Sequence, residues 1–119
     1  MIIDQLFHYM ATVDEVYDGD TCTVAIDLGM HTWIHGEKLR LNRINAPELR
    51  GPTRPAGELS RDFLRTQILG KKVLLETIKD QKEKYGRYLA EIWLHQEDGS
   101  WINVNDLMVA KGFAIYQSY

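Results

Sequence analysis

Apolar and polar residues alternate in short runs over the first third of this chain. Cys22, Val24, Ile26 and Leu28 fall on one side, and Thr23, Ala25 and Asp27 on the other. A period of two predicts a half-buried strand over Cys22–Leu28. Tyr9–Tyr17 alternates more loosely and predicts a strand before it. The link, Asp18-Gly19-Asp20-Thr21, has the Asp-Gly pair that favours tight hairpins. Gly29–His35 predicts a hairpin connection with some strand at Trp33-Ile34. Lys38–Ile44 predicts the next strand, with Leu39 and Leu41 opposed to Lys38, Arg40 and Asn42. The period then changes. Leu59, Phe63, Leu64, Gln67 and Ile68 recur at helical spacing, with Arg61, Asp62 and Arg65 outside. Pro55 suits the first turn of that helix and Gly70 its stop. Lys72–Ile78 and Leu89–His95 read as strands separated by a polar, basic loop over Lys79–Tyr88. The turn Glu97-Asp98-Gly99-Ser100 leads to Trp101–Val104. Asn105–Lys111 predicts a short helix with Leu107, Met108 and Ala110 toward its buried side and Gly112 at its stop. The order of elements predicts a mainly β, α+β domain built on a small barrel.

Composition narrows this picture. A chain of 119 residues predicts one domain, and 45% apolar residues suffice for a core without metal or disulfide support. The single cysteine, Cys22, has no internal partner, so nothing demands an oxidising compartment. The start, MIIDQLFHYM, lacks a basic segment and a long apolar run, and no stretch approaches a membrane span. The expectation is a soluble, cytoplasmic monomer that does not enter membranes.

Charge changes the picture more. The total is −3, but residues 36–90 carry 13 of the 14 basic residues against seven acids. Residues 1–35 carry six acids and no Lys or Arg. Phosphate binding needs a local positive field rather than a positive total. Solvated helices and loops would produce the same middle segment, so charge alone decides nothing.

The stretch Gly36–Glu48, GEKLRLNRINAPE, sharpens it. Arg40 sits in a strand and Glu48 follows a proline turn. Ala46, preceding Pro47, avoids the helical region, so the strand should end there. Folding back at Asn45–Pro47 would place a cation and a carboxylate at one rim of a sheet. One stabilises negative charge and the other takes a proton, which suits chemistry on a phosphate. Taken alone, an Arg and a Glu this close are more often ion-pair partners or solvated surface.

Three further elements converge with it. DGDT (18–21) supplies Asp20, RLNRINAPE (40–48) supplies Arg40, Asn45 and Glu48, KYGR (84–87) supplies Lys84, Tyr85 and Arg87, and GFAIYQSY supplies Tyr116 and Tyr119. In this order the chain resembles a staphylococcal (micrococcal) nuclease from about Ala11 to Tyr119. The resemblance implies an OB-fold five-stranded barrel with helices packed on it. It implies a Ca²⁺-dependent phosphodiesterase acting on DNA and RNA, leaving 3′-phosphates; the basic middle segment with Arg40, Glu48 and Arg87 adds the expectation that single strands are preferred. Carried over by position, it implies catalytic roles for Arg40, Arg87 and Glu48. It implies metal ligation by Asp20, Asn45 and the main-chain carbonyl of Ala46, and nucleotide contacts by Lys84 and Tyr85. Tyr116 or Tyr119 would supply the C-terminal tyrosine contact, the register after Ala114 being open. The family's last helix is expected to be absent or reduced.

One position departs from the pattern. Asn45 stands where the family has an aspartate. An amide oxygen can ligate Ca²⁺ but brings no charge, and ligand charge is a main control on affinity. Weaker metal binding is expected, by roughly ten- to a hundredfold on the scale of outer-ligand losses. The same fold could instead be a non-catalytic module that binds nucleic acid in a basic aromatic groove. The presence of Arg40, Glu48 and Arg87 favours the enzyme. His31 and His35, four apart in a hairpin, read as surface residues rather than a metal grip. Cys22 reads as a small buried hydrophobe, and Trp93 and Trp101 read as core.

Overall fold

The computed structural model describes residues 7–118. Strand β1 (His8–Asp18) leads to β2 (Thr21–Asp27) and β3 (Trp33–Leu41), joined antiparallel in sequence. A two-residue strand β4 (Ile44–Asn45) precedes a 3-10 turn at Gly51–Thr53 and helix α1 (Arg54–Ile68). Then come β5 (Lys72–Lys82), β6 (Tyr88–His95), β7 (Trp101–Asn103), helix α2 (Val104–Ala110) and β8 (Ile115–Tyr116).

The barrel closes through pairings distant in sequence. β1 pairs on its other side with β5, β5 pairs with β6, and β6 meets β3 in parallel through Leu39↔Tyr88, Arg40↔Leu89 and Leu41↔Ala90. Five strands therefore form a closed barrel, with β7 extending β6 as a hairpin. Closure removes the unpaired edges over that segment of β3. The core is filled from the inward positions, including Val13, Val24, Leu39, Leu41, Val73, Leu75 and Ile92. Leu64 and Ile68 of α1 and Val104 and Met108 of α2 cover the openings. This is the mainly β barrel with two packed helices that the sequence pattern implied. Cys22 is buried and free, as expected.

Several elements differ from the sequence reading. β3 begins at Trp33, as the strand expected at Trp33-Ile34 implied, and runs on without a break through His35–Glu37 to Leu41. β3 ends at Leu41 rather than near Ala46, because Arg43 adopts a left-handed φ of 69° that interrupts the ladder. Segment 44–45 is held instead by β8, through Ile44↔Tyr116 and Asn45↔Ile115. Strand extends into the expected loop as far as Lys82, leaving a turn over 83–87. Ala25 is buried although it shares a face with the half-buried Thr23, and Leu28 is exposed because β2 ends at Asp27. Trp101 is exposed, and Trp93 is only half-buried, its indole donating to Glu76 Oε1 at 3.3 Å.

Helix α1 also turns a different face inward. Leu59 is 63% exposed, while Gly57, Ser60, Leu64 and Ile68 are buried. Small residues occupy the first half because the helix lies almost in contact with backbone. A Cβ on Gly57 would lie 2.5 Å from the Glu48 carbonyl oxygen, and one on Gly19 would lie 1.9 Å from Ser60 Oγ. In α2 the buried residues are Val104, Asn105 and Met108, with Ala110 exposed. Asn103 caps it, accepting from the Asp106 amide at 2.9 Å. The fully buried Asn105 accepts from the Ile92 amide and donates to the Asn42 and Ala90 carbonyls, tying α2 to β6 and to the turn after β3. No helix among the described residues is long and apolar enough to cross a membrane.

Candidate active site

The turn at 18–21 and strand β3 meet edge to edge. Thr21 pairs with Arg40, and the Leu41 amide donates to the Asp20 carbonyl at 2.8 Å. Arg40 is therefore drawn inside the barrel rim, not left on it: its side chain is 8% exposed and that of Asp20 9%. Arg40 Nη1 lies 3.1 Å from Asp20 Oδ2 and donates to the Leu41 carbonyl, while Nη2 donates to Asn45 Oδ1 at 3.3 Å. A guanidinium this buried has to be paired and hydrogen-bonded. Asp20 supplies that pairing. Its Oδ2 also accepts from the Ala46 amide at 2.8 Å, and its Oδ1 accepts from the Thr21 hydroxyl. One carboxylate thus fixes Arg40, the 18–21 turn and the segment carrying Asn45 and Ala46.

A second arginine arrives from the opposite wall. Arg87 donates from Nε to Glu83 Oε1 and from Nη2 to Glu83 Oε2, at 3.1 and 3.0 Å, and from Nη1 to the Thr21 hydroxyl at 3.2 Å. Glu83 Oε1 also accepts from the Tyr85 and Arg87 amides, so one side chain folds the turn and orients the arginine. The Arg87 side chain holds the Glu83 carboxyl below its ordinary range, and Glu83 in turn raises Arg87. The guanidinium lies 5.5 Å from the Tyr85 ring centroid, and Lys84 Nζ lies 5.0 Å from it. Tyr85 itself is exposed.

Glu48 comes from the loop that α1 presses into place. Its carboxylate accepts from Arg50 Nε at 3.0 Å and is largely open to solvent. The direct pairing of Arg40 with Glu48 suggested by the sequence is replaced by Arg40–Asp20 and Arg50–Glu48. All three groups nevertheless face one cavity of about 660 Å³, which Arg40, Arg87, Glu48, Asp20, Asn45 and Ala46 line with Lys84 and Tyr85. Eight of the ten side chains singled out from the sequence are thus brought together. Tyr116 is not among them. Its hydroxyl donates to Asp106 Oδ1 at 2.9 Å, and it lines a neighbouring cavity of about 450 Å³ separated from the first by Leu89. Tyr119 lies outside the described residues.

Two acidic residues of the cavity escaped the sequence reading. Glu83 is one, and its place directly before KYGR was the available signal. Asp18 is the other. It accepts from the Asp20 amide at 3.0 Å, and burial, with the Asp20 charge second, pushes its carboxyl up to about 6. The pair of acids spaced by one glycine in DGDT was visible, but nothing in the sequence distinguished a turn-forming aspartate from a cavity-facing one.

The geometry defines a β-barrel protein whose rim presents two arginines and several oxygen donors to one cleft. A family model for staphylococcal nuclease homologues matches residues 38–119. The chain belongs to that family. It is 36% identical to a thermonuclease of Staphylococcus hyicus over 88 residues, covering 71% of this chain and 48% of the relative. A thermonuclease of Staphylococcus intermedius is 33% identical over 88 residues, covering 71% and 49%. An uncharacterized protein of Methanocaldococcus jannaschii is 26% identical over 133 aligned positions, covering 94% and 61%. The chain spans about half the length of the two thermonucleases it matches.

Proposed function

We propose that this chain is a metal-assisted nuclease that hydrolyses phosphodiester bonds of DNA and RNA, with Ca²⁺ as cofactor and single strands preferred. Kinship with thermonucleases supports nuclease chemistry in general. The observation that carries the finer reading is the convergence of Arg40, Arg87 and Glu48 on one cleft, from three elements remote in sequence. Two guanidiniums offer fixed forks of donors to phosphate oxygens, which two lysines would not. Arg40, already oriented by Asp20 and Asn45, would hold the phosphate. Arg87, oriented by Glu83, would stabilise the charge that develops as the phosphorus–oxygen bond breaks. Glu48 would turn from Arg50 toward a water and orient or deprotonate it for in-line attack. Cleavage on the 5′ side, leaving 3′-phosphates, is the product this arrangement is proposed to give, by a monomer.

The donor set suits a hard cation. Asp18, Asp20, the Asn45 amide and the Ala46 carbonyl offer oxygen alone. Burial raises the Asp18 carboxyl most and the neighbouring Asp20 charge second, and a bound cation would offset the second of these. Among the described residues no group of three or more His, Cys, Asp or Glu is arranged to hold a metal ion, so a cation here would lean on the neutral oxygens of Asn45 and Ala46 as well as on Asp18 and Asp20. When bound, the ion would neutralise charge on the phosphate.

Incubation with denatured DNA and with RNA, in Ca²⁺ or in excess chelator, tests the proposal. Degradation only with Ca²⁺ is expected, weakening as salt rises. Equal degradation in both would refute metal assistance. One observation favours the alternative, a binding module without catalysis: Glu48 is engaged by Arg50 and Asn45 by Arg40. Binding of single strands without cleavage at millimolar Ca²⁺ would establish that reading.

A further inference from the structure

The cleft does not end at Arg87. Beyond Arg87 and Tyr85 a second groove of about 590 Å³ runs over the outer faces of β1, β2 and β3. It shares Asp18, Glu48, Tyr85 and Arg87 with the proposed active site, so the two are continuous. Thr21 and Thr23 also line it, together with Tyr17 and Lys38. Its volume lies within the ~300–1,000 Å³ of small-molecule sites.

Tyr17 is placed there by a defect in the ladder. Val16 pairs with Cys22 and Asp18 with Thr21, so Tyr17 is the extra residue of a β-bulge. Bulges re-aim side chains and are common beside active sites. This one turns a tyrosine outward until it is 69% exposed, with no hydrogen bond from its hydroxyl among the described residues. Lys38 stands across β2, paired with Thr23 in register. It is exposed and makes no ion pair among the described residues, whereas Arg50 nearby is paired with Glu48. An unoccupied aromatic face and an uncommitted ammonium therefore flank one groove that opens into the cleft.

A polymer bound at the cleft has to leave it on two sides. One side leads past Leu89 toward the cavity lined by Tyr116. The other leads past Arg87 into the Tyr17 groove. We propose that this groove is a nucleotide subsite for single-stranded nucleic acid. Tyr17 stacks on the base of the residue next to the scissile phosphate, and Lys38 contacts the phosphate beyond it. Stacking accepts any base, so the subsite adds affinity rather than sequence preference. Glu15, on the same groove, repels the strand and marks where the track ends. The proposal rests on the nuclease reading for its register, but its binding consequences do not require cleavage.

Two measurements test it on the full chain. The first is kcat/KM in Ca²⁺ for oligothymidylates of two to eight nucleotides. The native protein should gain with length until the groove is filled. Tyr17→Ala should lose about five- to tenfold of that gain, the lower range for base–aromatic stacking. The second is fluorescence anisotropy of labelled oligothymidylate in chelator across a salt series. Lys38→Ala should lower the slope of log K against log salt by about 0.7, the value of one single-strand phosphate contact. Glu15→Gln should bind more tightly than the native chain. Unchanged length dependence in Tyr17→Ala together with an unchanged slope in Lys38→Ala would overturn the subsite. Binding without cleavage at any length would refute the nuclease reading instead, and the salt slope would still decide on the groove.

Discussion

Gly57→Ala isolates the contact that positions Glu48. The new Cβ would lie 2.5 Å from the Glu48 carbonyl oxygen, 2.8 Å from its carbon and 3.0 Å from the Pro47 oxygen. Ordinary contact needs about 3.5 Å, so helix and loop have to part by roughly 1 Å. The neighbours are backbone atoms and cannot rotate aside. Overpacking of this kind costs about 1–3 kcal/mol. Replacing glycine by alanine within a helix returns about 1 kcal/mol. The net loss should be about 0–2 kcal/mol, a Tm lower by no more than ~10 °C. On the proposed role of Glu48 activity should suffer far more, because a displacement near 1 Å at a carboxylate acting on the attacking water can cost ~10²-fold. Thermal unfolding and turnover on denatured DNA, measured on the same preparation, separate the two effects. A Tm above that of the native protein with full turnover would refute the reasoning, since only the helix-propensity gain would then be operating.

Other expectations follow from the same geometry. Arg40→Ala strands the Asp20 charge inside the rim and should cost ~3–5 kcal/mol in denaturant unfolding. Full stability would mean that Asp20 finds another partner. Asn45→Asp adds a further carboxylate to Asp18 and Asp20 at the proposed cation site and should tighten Ca²⁺ binding by calorimetry, whereas equal affinities would mean that position 45 does not reach the ion. Glu83 is held below the usual carboxylate range by Arg87, so the folded state binds its proton less readily than the unfolded chain. Its stabilisation is complete above the ordinary carboxylate range and is lost as pH falls through the lower folded value. Glu83→Gln should therefore flatten the acid side of the stability–pH curve, and identical curves would remove the linkage.

Local pattern carried much of this fold. Cys22, Val24 and Ile26 of the alternation and Leu64 and Ile68 of the helical repeat are buried as the pattern predicts. Barrel closure does not have a local signature. The parallel pairing of Leu39 with Tyr88 joins strands separated by a helix and two other strands, and neither segment's pattern names its partner. Leu59 misled because hydrophobic spacing counts apolar side chains, whereas α1 buries Gly57 and Ser60 against backbone. The strand after Arg40 broke early because Arg43 takes a left-handed conformation that its residue type does not announce. It is held there by Glu91 at 2.6 Å and Asp106 at 3.0 Å, from two distant elements. The cleft was legible because its residues cluster in short motifs. Its internal pairing was not, since which carboxylate meets Arg40 depends on how the 18–21 turn docks on β3.

Single-turnover cleavage of an end-labelled single-stranded oligonucleotide at saturating Ca²⁺, by the native chain and by Arg87→Ala, tests the central claim most directly. Arg87 is bonded to the half-buried Glu83 and to Thr21 at the cleft wall, so its loss should leave the barrel folded. The rate should fall by ~10²–10³, the cost of removing one preorganised donor to a developing charge. Equal rates in the two folded proteins would contradict the claim that this cleft is where the phosphodiester is cut.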